Sequence, residues 1–328
     1  MTGEHTINVW NRRVRYSLRV RRNITILTGD SGTGKSTIVK LIEDYENLNE
    51  GSGVHLECDK RCVHLRGRYW KYLLERINDS IVFIDENDVC LRDSDLAHEI
   101  KNTDNYYVII TRRNLSELPY SINEIYGLKA TNKVVSAGQV YNEQYMLYGK
   151  NLTEAGITPD IVITEDSNSG HDFFNKVCSM YGKRCESAKG KSKIKNLIGQ
   201  IDDKKVLIIA DGAAFGNEMK DVVLALNNCS NYFLYLPESF EWLLLKAGTI
   251  GNNKIGNNKL SEILNSPSDY VDSQKFFSWE RFFTDLICKE CKKLPSKISY
   301  SKSRLHNFFM QSTNIDKVLA VMSSIIFK

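Results

Sequence analysis

Short apolar runs rich in β-branched residues alternate along this chain with stretches whose apolar residues recur at helical spacing. After one such run at 24–28, Ile38, Val39, Leu41 and Ile42 follow the helical period. Buried strands are predicted in the first half at 24–28, 80–84 and 106–110, and in the second half at 160–164, 205–210 and 232–236. Strands that alternate with helices in this way predict an α/β protein with parallel sheets.

The length of 328 residues is enough for about two domains. Pro159 follows a glycine-punctuated stretch, and a second series of strands begins directly after it. We therefore predict an N-terminal α/β domain over 1–130, a connecting segment over 131–157, a second small parallel α/β domain over 158–252 and a helical basic tail over 253–328.

The stretch 29–36 reads Gly-Asp-Ser-Gly-Thr-Gly-Lys-Ser, which fits the pattern G-x-x-x-x-G-K-S/T between a predicted strand and a predicted helix. Glycines let backbone N–H groups turn toward phosphates, and the helix N-terminus adds partial positive charge. Lys35 is expected to reach the β- and γ-phosphates, and Ser36 to hold Mg²⁺. The predicted nucleotide-binding residues are Gly29, Asp30, Ser31, Gly32, Thr33, Gly34, Lys35, Ser36 and Thr37.

Acidic and polar residues follow the next two predicted strands of the first half. Asp85 comes directly after the run at 80–84, where it is expected to hold Mg²⁺ together with Ser36. Glu86 is then placed to polarise an attacking water as a general base. Thr111 ends the run at 106–110 and is the candidate contact to the γ-phosphate. Arg112 or Arg113 is the candidate for neutralising transition-state charge, with Arg112 the first choice, and a polar strand cap with surface arginines is the alternative.

Residues 1–130 resemble a compact P-loop NTPase of the class that carries a catalytic glutamate after the Walker B aspartate. The resemblance rests on the stretch 29–36, Asp85, Glu86 and Thr111. It implies binding of ATP or GTP, a requirement for Mg²⁺, and hydrolysis. The sequence contains no N-K-x-D guanine-reading motif, which favours ATP, and no LSGGQ-like signature of ABC-type ATPases. A P-loop kinase is the alternative within this class.

Two carboxylates follow strands of the second half: Glu165 after the run at 160–164, and Asp211 after the run at 205–210. At one edge of a parallel sheet they would repel each other unless a hard cation such as Mg²⁺ lay between them. This arrangement resembles the TOPRIM domain of topoisomerases, primases and overcoming-lysogenization-defect nucleases. That family's second aspartate is replaced by Ala213, and the candidates to substitute for it are Asp166, Glu238 and Glu241. An inactive relative that binds nucleic acid or nucleotide, or an unrelated doubly wound domain, are the alternatives.

The composition describes an ordinary globular protein, with 42% hydrophobic residues, 26% charged residues and a net charge of +4. No apolar run approaches the roughly 18 residues of a membrane helix. We therefore expect a cytoplasmic protein without a membrane partner, whose 8 cysteines are reduced.

Taken together, the sequence predicts a Mg²⁺-dependent protein that binds and hydrolyses ATP and whose nucleotide state controls a TOPRIM-like module acting on nucleic acid. Such ATPase–nuclease proteins occur in mobile elements and phage defence. The expected partners are a nucleotide, DNA or RNA, and further copies of the chain in a homo-oligomer. The alternative is a nucleotide-gated switch or scaffold whose second half binds a partner protein and catalyses nothing.

Overall fold

A computed structural model describes residues 1–30, 32–131, 138–148, 156–250, 257–294 and 298–328. The chain divides into two compact units, which are described separately below. The first unit comprises Met1–Leu147 and Ser268–Phe277, and the second comprises Tyr148–Pro267 and Ser278–Lys328. None of the helices in the described ranges combines the length and the hydropathy that a membrane crossing requires.

The first unit is built on a mixed sheet of nine strands with the order β4-β1-β2-β9-β8-β3-β7-β6-β5. The strands are β1 His5–Trp10, β2 Val14–Val20, β3 Ile24–Leu27, β4 His55–Glu57, β5 Arg61–His64, β6 Ser80–Ile84, β7 Tyr106–Ile110, β8 Ile125–Thr131 and β9 Val140–Met146. Its helices are α1 Lys35–Leu48, α2 Trp70–Leu74 and α3 Leu96–Lys101. The five strands from β8 to β5 all run parallel.

The central strands β3, β6 and β7 are buried at every position. A parallel strand covered on both faces carries a nearly continuous apolar run, which is why these three strands are readable from the sequence. Strand β2 instead alternates: Tyr16, Leu18 and Val20 are buried, while Arg19 is exposed. Strands β1 and β2 form an antiparallel pair, and β2 is an interior strand of the sheet because β9 pairs with its other side.

The order of the parallel strands creates a switch point next to β3. After β3 the chain first forms β4 at the far end of the sheet beside β1. It then forms β5 at the other end, returns through β6 and β7, and places β8 on the opposite side of β3. Strand β7 therefore lies between β3 and β6. In open α/β sheets, ligands bind outside the carboxyl ends of the strands at such a switch point. The segments that follow β3, β6 and β7 are thus brought to one edge.

The first unit extends past the predicted boundary at residue 130. Strand β9 belongs to it because it pairs with both β2 and β8. The segment Ser268–Phe277 belongs to it as well, although the sequence placed this segment in a C-terminal tail. The Ser273 hydroxyl accepts a hydrogen bond from the N-terminal amino group of Met1 at 3.0 Å, and the Ser273 carbonyl accepts one from Asn23 Nδ2 at 3.1 Å.

The second unit contains a sheet of four parallel strands with the order β11-β10-β12-β13. The strands are β10 Ile161–Thr164, β11 Arg184–Ser187, β12 Val206–Ile209 and β13 Tyr232–Tyr235. The helices are α4 Ser169–Met180, α5 Ile194–Leu197, α6 Gly216–Leu226, α7 Phe240–Lys246, α8 Asn257–Asn265, α9 Trp279–Lys292 and α10 Ser312–Val321. The sequence does not predict strand β11, because this edge strand reads Arg-Cys-Glu-Ser and carries no apolar run.

The helices after residue 278 are part of the second unit rather than a separate tail. Helix α9 buries Phe282, Phe283 and Ile287, and it packs against α7, as does α10. The aromatic side chains of α9 therefore belong to the hydrophobic core of the second unit.

A buried carboxylate joins β2 and β8 in the first unit. Glu124 is fully buried, and its Oε1 accepts hydrogen bonds from Arg21 Nε at 2.9 Å and Arg22 Nε at 3.1 Å. Its Oε2 accepts one from the Tyr126 hydroxyl at 3.3 Å. A charge without water is stabilised only by partners of this kind, and removing one member leaves an uncompensated buried charge.

We predict that Glu124→Ala lowers the free energy of unfolding by about 3–5 kcal/mol, because the buried Arg22 guanidinium loses this carboxylate. Urea unfolding followed by circular dichroism measures this change. The exposed Glu117→Ala is the control, with an expected change within about 0.5 kcal/mol. Equal unfolding midpoints for the two variants would contradict the prediction.

Candidate functional site

The glycine loop that connects β3 to α1 has a backbone that only glycine adopts easily. Gly29 and Gly34 have φ values of 123° and 83°. At Gly34 a Cβ atom would also collide with the hydroxyl of Tyr16, a buried residue of β2. Ser31, one of the predicted nucleotide-binding residues, lies outside the described residues. Thr37, another of them, is exposed, and its side chain hydrogen bonds to Tyr16.

Lys35 is folded into this loop. Its Nζ donates hydrogen bonds to the carbonyl oxygens of Gly29 at 3.0 Å and Asp30 at 2.6 Å, and to Thr33 Oγ1 at 2.7 Å. Burial lowers the pKa of Lys35, and the nearby guanidinium of Arg112 lowers it further. The ammonium group is thus held where the loop closes, with loop carbonyls as its partners.

A hydroxyl and a carboxylate meet beside the loop. Ser36 Oγ, in the first turn of α1, donates a hydrogen bond to Asp85 Oδ1, which follows β6, at 3.2 Å. The backbone N–H of Asp85 donates to Asp88 Oδ2 at 2.6 Å, and Asp88 in turn lies 2.8 Å from His64 Nε2. This chain of contacts fixes the turn after β6, so that the Asp85 carboxylate faces Ser36.

The remaining predicted catalytic residues of the first unit lie at the ends of β6 and β7. Glu86 Oε2 is 3.5 Å from Arg112 Nε, so these two side chains form an ion pair. Thr111 is buried, and its Oγ1 accepts a hydrogen bond from the backbone N–H of Arg113 at 3.0 Å. The hydroxyl of Thr111 therefore stabilises the turn that carries Arg112, and its contact to a γ-phosphate stays a prediction.

The donor set beside the loop suits a magnesium nucleotide. Ser36 and Asp85 offer hard oxygen ligands, as Mg²⁺ prefers. Lys35 and the N-terminus of the 14-residue helix α1 offer positive charge to phosphate oxygens. Lys35 and Ser36 begin helix α1, whereas Asp85 and Glu86 follow β6, and the sheet brings these two segments to one edge.

In the second unit, Glu165 and Asp211 are adjacent, as predicted. They follow the neighbouring strands β10 and β12, and the backbone N–H of Asp211 donates to Glu165 Oε2 at 3.2 Å. Asp211 Oδ1 accepts a hydrogen bond from the backbone N–H of Phe240 at 3.0 Å. Both carboxylates line a cavity with Asp166, Glu241 and Lys302. Of the candidates for a further carboxylate, Asp166 and Glu241 line the cavity, whereas Glu238 is not among its described lining residues.

Glu241 is buried on α7 with one satisfied and one unsatisfied oxygen. Its Oε1 accepts a hydrogen bond from the Tyr300 hydroxyl at 2.7 Å, and that hydroxyl lies 2.8 Å from Ser169 Oγ. Its Oε2 is buried and has no hydrogen-bond partner among the described residues. A buried carboxylate oxygen without a protein partner is costly, so this atom is available to accept a hydrogen bond or to bind a cation.

The cavity carries an excess of negative charge. Burial raises the pKa of Asp211 well above its ordinary value, and Glu241, Glu280 and Glu165 raise it further. Burial likewise raises the pKa of Glu165 to about 6. Burial lowers the pKa of Lys302, but the charges of Glu280, Asp211 and Glu241 outweigh this effect and raise it overall. Lys302 pairs with Glu280.

Sequence reasoning missed Lys302, which lines this cavity, and Tyr300 and Glu280, which pair with the lining residues Glu241 and Lys302. They lie more than 60 residues after Asp211 in the sequence, and no local motif marks them. The sequence indicates Lys302 only as part of a basic tail. Within the described residues, no group of three or more His, Cys, Asp or Glu side chains has an arrangement that would hold a metal ion as it stands. A cation here would need the side chains to adjust.

Comparisons with known proteins do not identify a family, so the function must be inferred from the geometry of the two sites. No protein-family model matches the sequence, and a search of curated proteins finds no match.

The raised pKa of Glu165 predicts a pH-dependent stability. The folded protein binds this proton more tightly than the unfolded chain, so the stabilisation is complete below pH 4.5 and is lost as pH rises through about 6. Glu165→Gln cannot ionise, and we expect it to raise the free energy of unfolding at pH 7 by about 2 kcal/mol. At pH 4, where wild-type Glu165 is already protonated, we expect little difference.

Urea unfolding between pH 4 and 8, with EDTA present to remove divalent metal ions, measures this effect. Glu186→Gln on the edge strand β11 is the matched control, because Glu186 is exposed. Parallel stability curves for the wild type and Glu165→Gln across this pH range would show that the interpretation is wrong.

Proposed function

We propose that the first unit is a Mg²⁺-dependent ATPase of the P-loop class. The observation that carries the proposal is the hydrogen bond between Ser36 Oγ and Asp85 Oδ1, at 3.2 Å, next to a glycine loop whose carbonyl oxygens bind the Lys35 ammonium group. A hydroxyl from the first turn of α1 and a carboxylate that follows β6 thus meet at the switch point of the sheet.

Each residue has a role that follows from its position. Lys35 exchanges its loop carbonyls for phosphate oxygens, and Ser36 and Asp85 hold the metal ion. Bound Mg²⁺ would supply neutralisation of the phosphate charge. Glu86 accepts a proton from the water whose oxygen attacks the γ-phosphorus, and the ADP oxygen leaves with the bond electrons.

The ion pair between Glu86 and Arg112 connects catalysis to nucleotide binding. Arg112 has a carboxylate partner in the structure, and a γ-phosphate is a stronger competitor for a guanidinium group. Transfer of Arg112 toward the phosphate would release Glu86 to act on water. Arg112 would then stabilise the charge that develops in the transition state.

We predict that Glu86→Gln retains ATP binding but lowers the hydrolysis rate by about 100-fold or more, because the general base is lost while the shape remains. Isothermal titration calorimetry measures the affinity, and phosphate release measures the rate. Lys35→Ala should instead weaken binding itself, and the exposed Glu50→Gln should change neither. Undiminished hydrolysis by Glu86→Gln, or hydrolysis that requires an added acceptor, would contradict the proposal, the latter in favour of a kinase.

We further propose that the second unit is TOPRIM-like and acts on nucleic acid under control of the nucleotide state, as in a mobile-element or phage-defence ATPase–nuclease. The support is the cluster of Glu165 and Asp211 at neighbouring strand ends, with the unsatisfied Glu241 Oε2 beside them. Glu165 and Asp211 would hold Mg²⁺ or Mn²⁺, with Glu241 in place of the carboxylate that Ala213 lacks. Such an ion would stabilise the leaving oxygen of a phosphodiester.

A specific observation favours the alternative, a nucleotide-gated switch or scaffold with an inactive second unit. The Lys302 ammonium group already supplies a positive charge to Asp211 and Glu241, which reduces the need for a metal ion. Ala213 also removes the second aspartate of the family pattern.

Metal binding and cleavage separate these two functions. We predict that Mn²⁺ raises the melting temperature of the wild type and supports cleavage of DNA or RNA, and that Glu165→Ala and Asp211→Ala abolish both effects. Glu186→Ala is the control variant. If Mn²⁺ leaves the melting temperature unchanged and no cleavage occurs, the switch function gains support and the nuclease is excluded.

A further inference from the structure

The first unit carries an exposed aromatic and basic surface that the ATPase chemistry does not use. It is formed by the loop after β5 and the short helix α2. We call it the Arg66–Arg76 surface, and its members are Arg66, Arg68, Tyr69, Lys71, Tyr72 and Arg76.

This surface is anchored by buried neighbours. The backbone N–H of Leu65 donates to the Phe83 carbonyl at 2.9 Å, which continues the pairing of β5 with β6. Trp70 and Leu74, one helical turn apart, are both buried. Tyr69 and Tyr72 are therefore held outward by a fixed segment.

The two tyrosine rings are far more exposed than large aromatic side chains usually are. Tyr69 is 81% exposed and Tyr72 is 51% exposed. The Arg76 guanidinium lies 3.9 Å from the centre of the Tyr72 ring, so a cation already stacks on this aromatic face. Exposed aromatic rings beside cations mark an interaction surface rather than a solvated face.

The charge on this surface is only partly neutralised. Arg66 pairs with Glu43, and Lys71 pairs with Asp95. In the part of the chain that the structure describes, no carboxylate forms an ion pair with Arg68 or Arg76. A partner that carries negative charge and flat groups that stack on tyrosine would complement this surface.

We propose that the Arg66–Arg76 surface binds single-stranded nucleic acid. Phosphates would pair with Arg68 and Arg76, and unpaired bases would stack on Tyr69 and Tyr72. Proteins that bind single strands without sequence preference combine these two kinds of contact. An acidic peptide would satisfy the arginines and leave the tyrosine rings in water. The binding goes beyond the proposed ATPase function and requires no nucleotide turnover.

The surface lies at the same sheet edge as the nucleotide residues. Strands β5 and β6 are parallel neighbours, so the loop after β5 emerges beside Asp85. Glu43 of α1 contacts Arg66 and also lies 3.4 Å from His64 Nδ1. A strand bound by Arg66 would thus contact the helix that begins with Lys35 and Ser36.

The test is fluorescence anisotropy of a labelled oligothymidine with the full chain, without nucleotide and with EDTA to exclude metal-dependent binding. We expect Tyr69→Ala to weaken binding by about fivefold or more, because one base then has no ring on which to stack. We expect Arg68→Glu to weaken it as well. The slope of log K against log salt concentration should become shallower by about 0.7 for each phosphate that the variant no longer neutralises.

Matched controls come from the same unit. Tyr145→Ala removes another tyrosine with a cation nearby, Lys129, and Arg61→Glu makes the same charge change at the opposite end of β5. Both should bind as the wild type does, and circular dichroism melting should show that all four variants fold. Equal weakening by Arg68→Glu and Arg61→Glu, with unchanged binding by Tyr69→Ala, would indicate diffuse electrostatic attraction and overturn the proposal.

Photo-crosslinking of a 4-thiothymidine oligonucleotide to the wild type locates the binding surface directly. Crosslinks to the peptide that contains Tyr69 and Tyr72 are expected. Crosslinks found only in the second unit would overturn the proposal, even if Mn²⁺-dependent cleavage there were established. The crosslinking result does not depend on ATP hydrolysis. It therefore tests nucleic-acid binding even if the proposed ATPase activity is not found.

Discussion

The hydrogen bond between Ser36 and Asp85 is the constraint on which the proposed nucleotide site depends. Its two residues are separated by 49 positions in the sequence, and they meet only because β3 and β6 lie one strand apart in a parallel sheet. Strand β7 fills the space between them and brings Thr111 and Arg112 to the same edge. A register shift in any of these strands would separate the hydroxyl from the carboxylate, so the buried apolar runs of the strands set the geometry of the polar site.

In the first unit opposite charges lie close together, whereas the strand ends of the second unit bring several negative charges together. Burial raises the pKa values of Asp211 and Glu165, and the charges of Glu241, Glu280 and Glu165 raise the pKa of Asp211 further. Lys302 lies far along the chain from these carboxylates, and its positive charge partly offsets their repulsion. A lysine and a metal ion are alternative cations for the same carboxylates, which is why the same cluster is consistent with an active metal site and with an inactive, lysine-stabilised one.

The parts that the sequence predicted are those encoded contiguously. The glycine loop, Asp85 with Glu86, and the buried strands β3, β6, β7, β10 and β12 each carry a local signal of spacing or apolar run. Lys302 and Tyr300 carry none, because their role arises from packing of the C-terminal helices onto the second unit. The inclusion of Ser268–Phe277 in the first unit was equally hidden, since it depends on hydrogen bonds of Ser273 to Met1 and Asn23. The limits of prediction therefore follow sequence separation.

Three charged groups of the proposed nucleotide site, those of Lys35, Glu86 and Asp85, have internal partners. Lys35 is satisfied by loop carbonyls, Glu86 by Arg112, and Asp85 by Ser36 and the turn that Asp88 fixes. These contacts keep the polar groups satisfied, as partly buried groups require. A ligand must then replace these partners, and part of its interaction energy is spent on the exchange. In the proposed mechanism the ion pair with Arg112 keeps Glu86 from acting on water until Arg112 moves, so water activation would be coupled to occupancy of the loop.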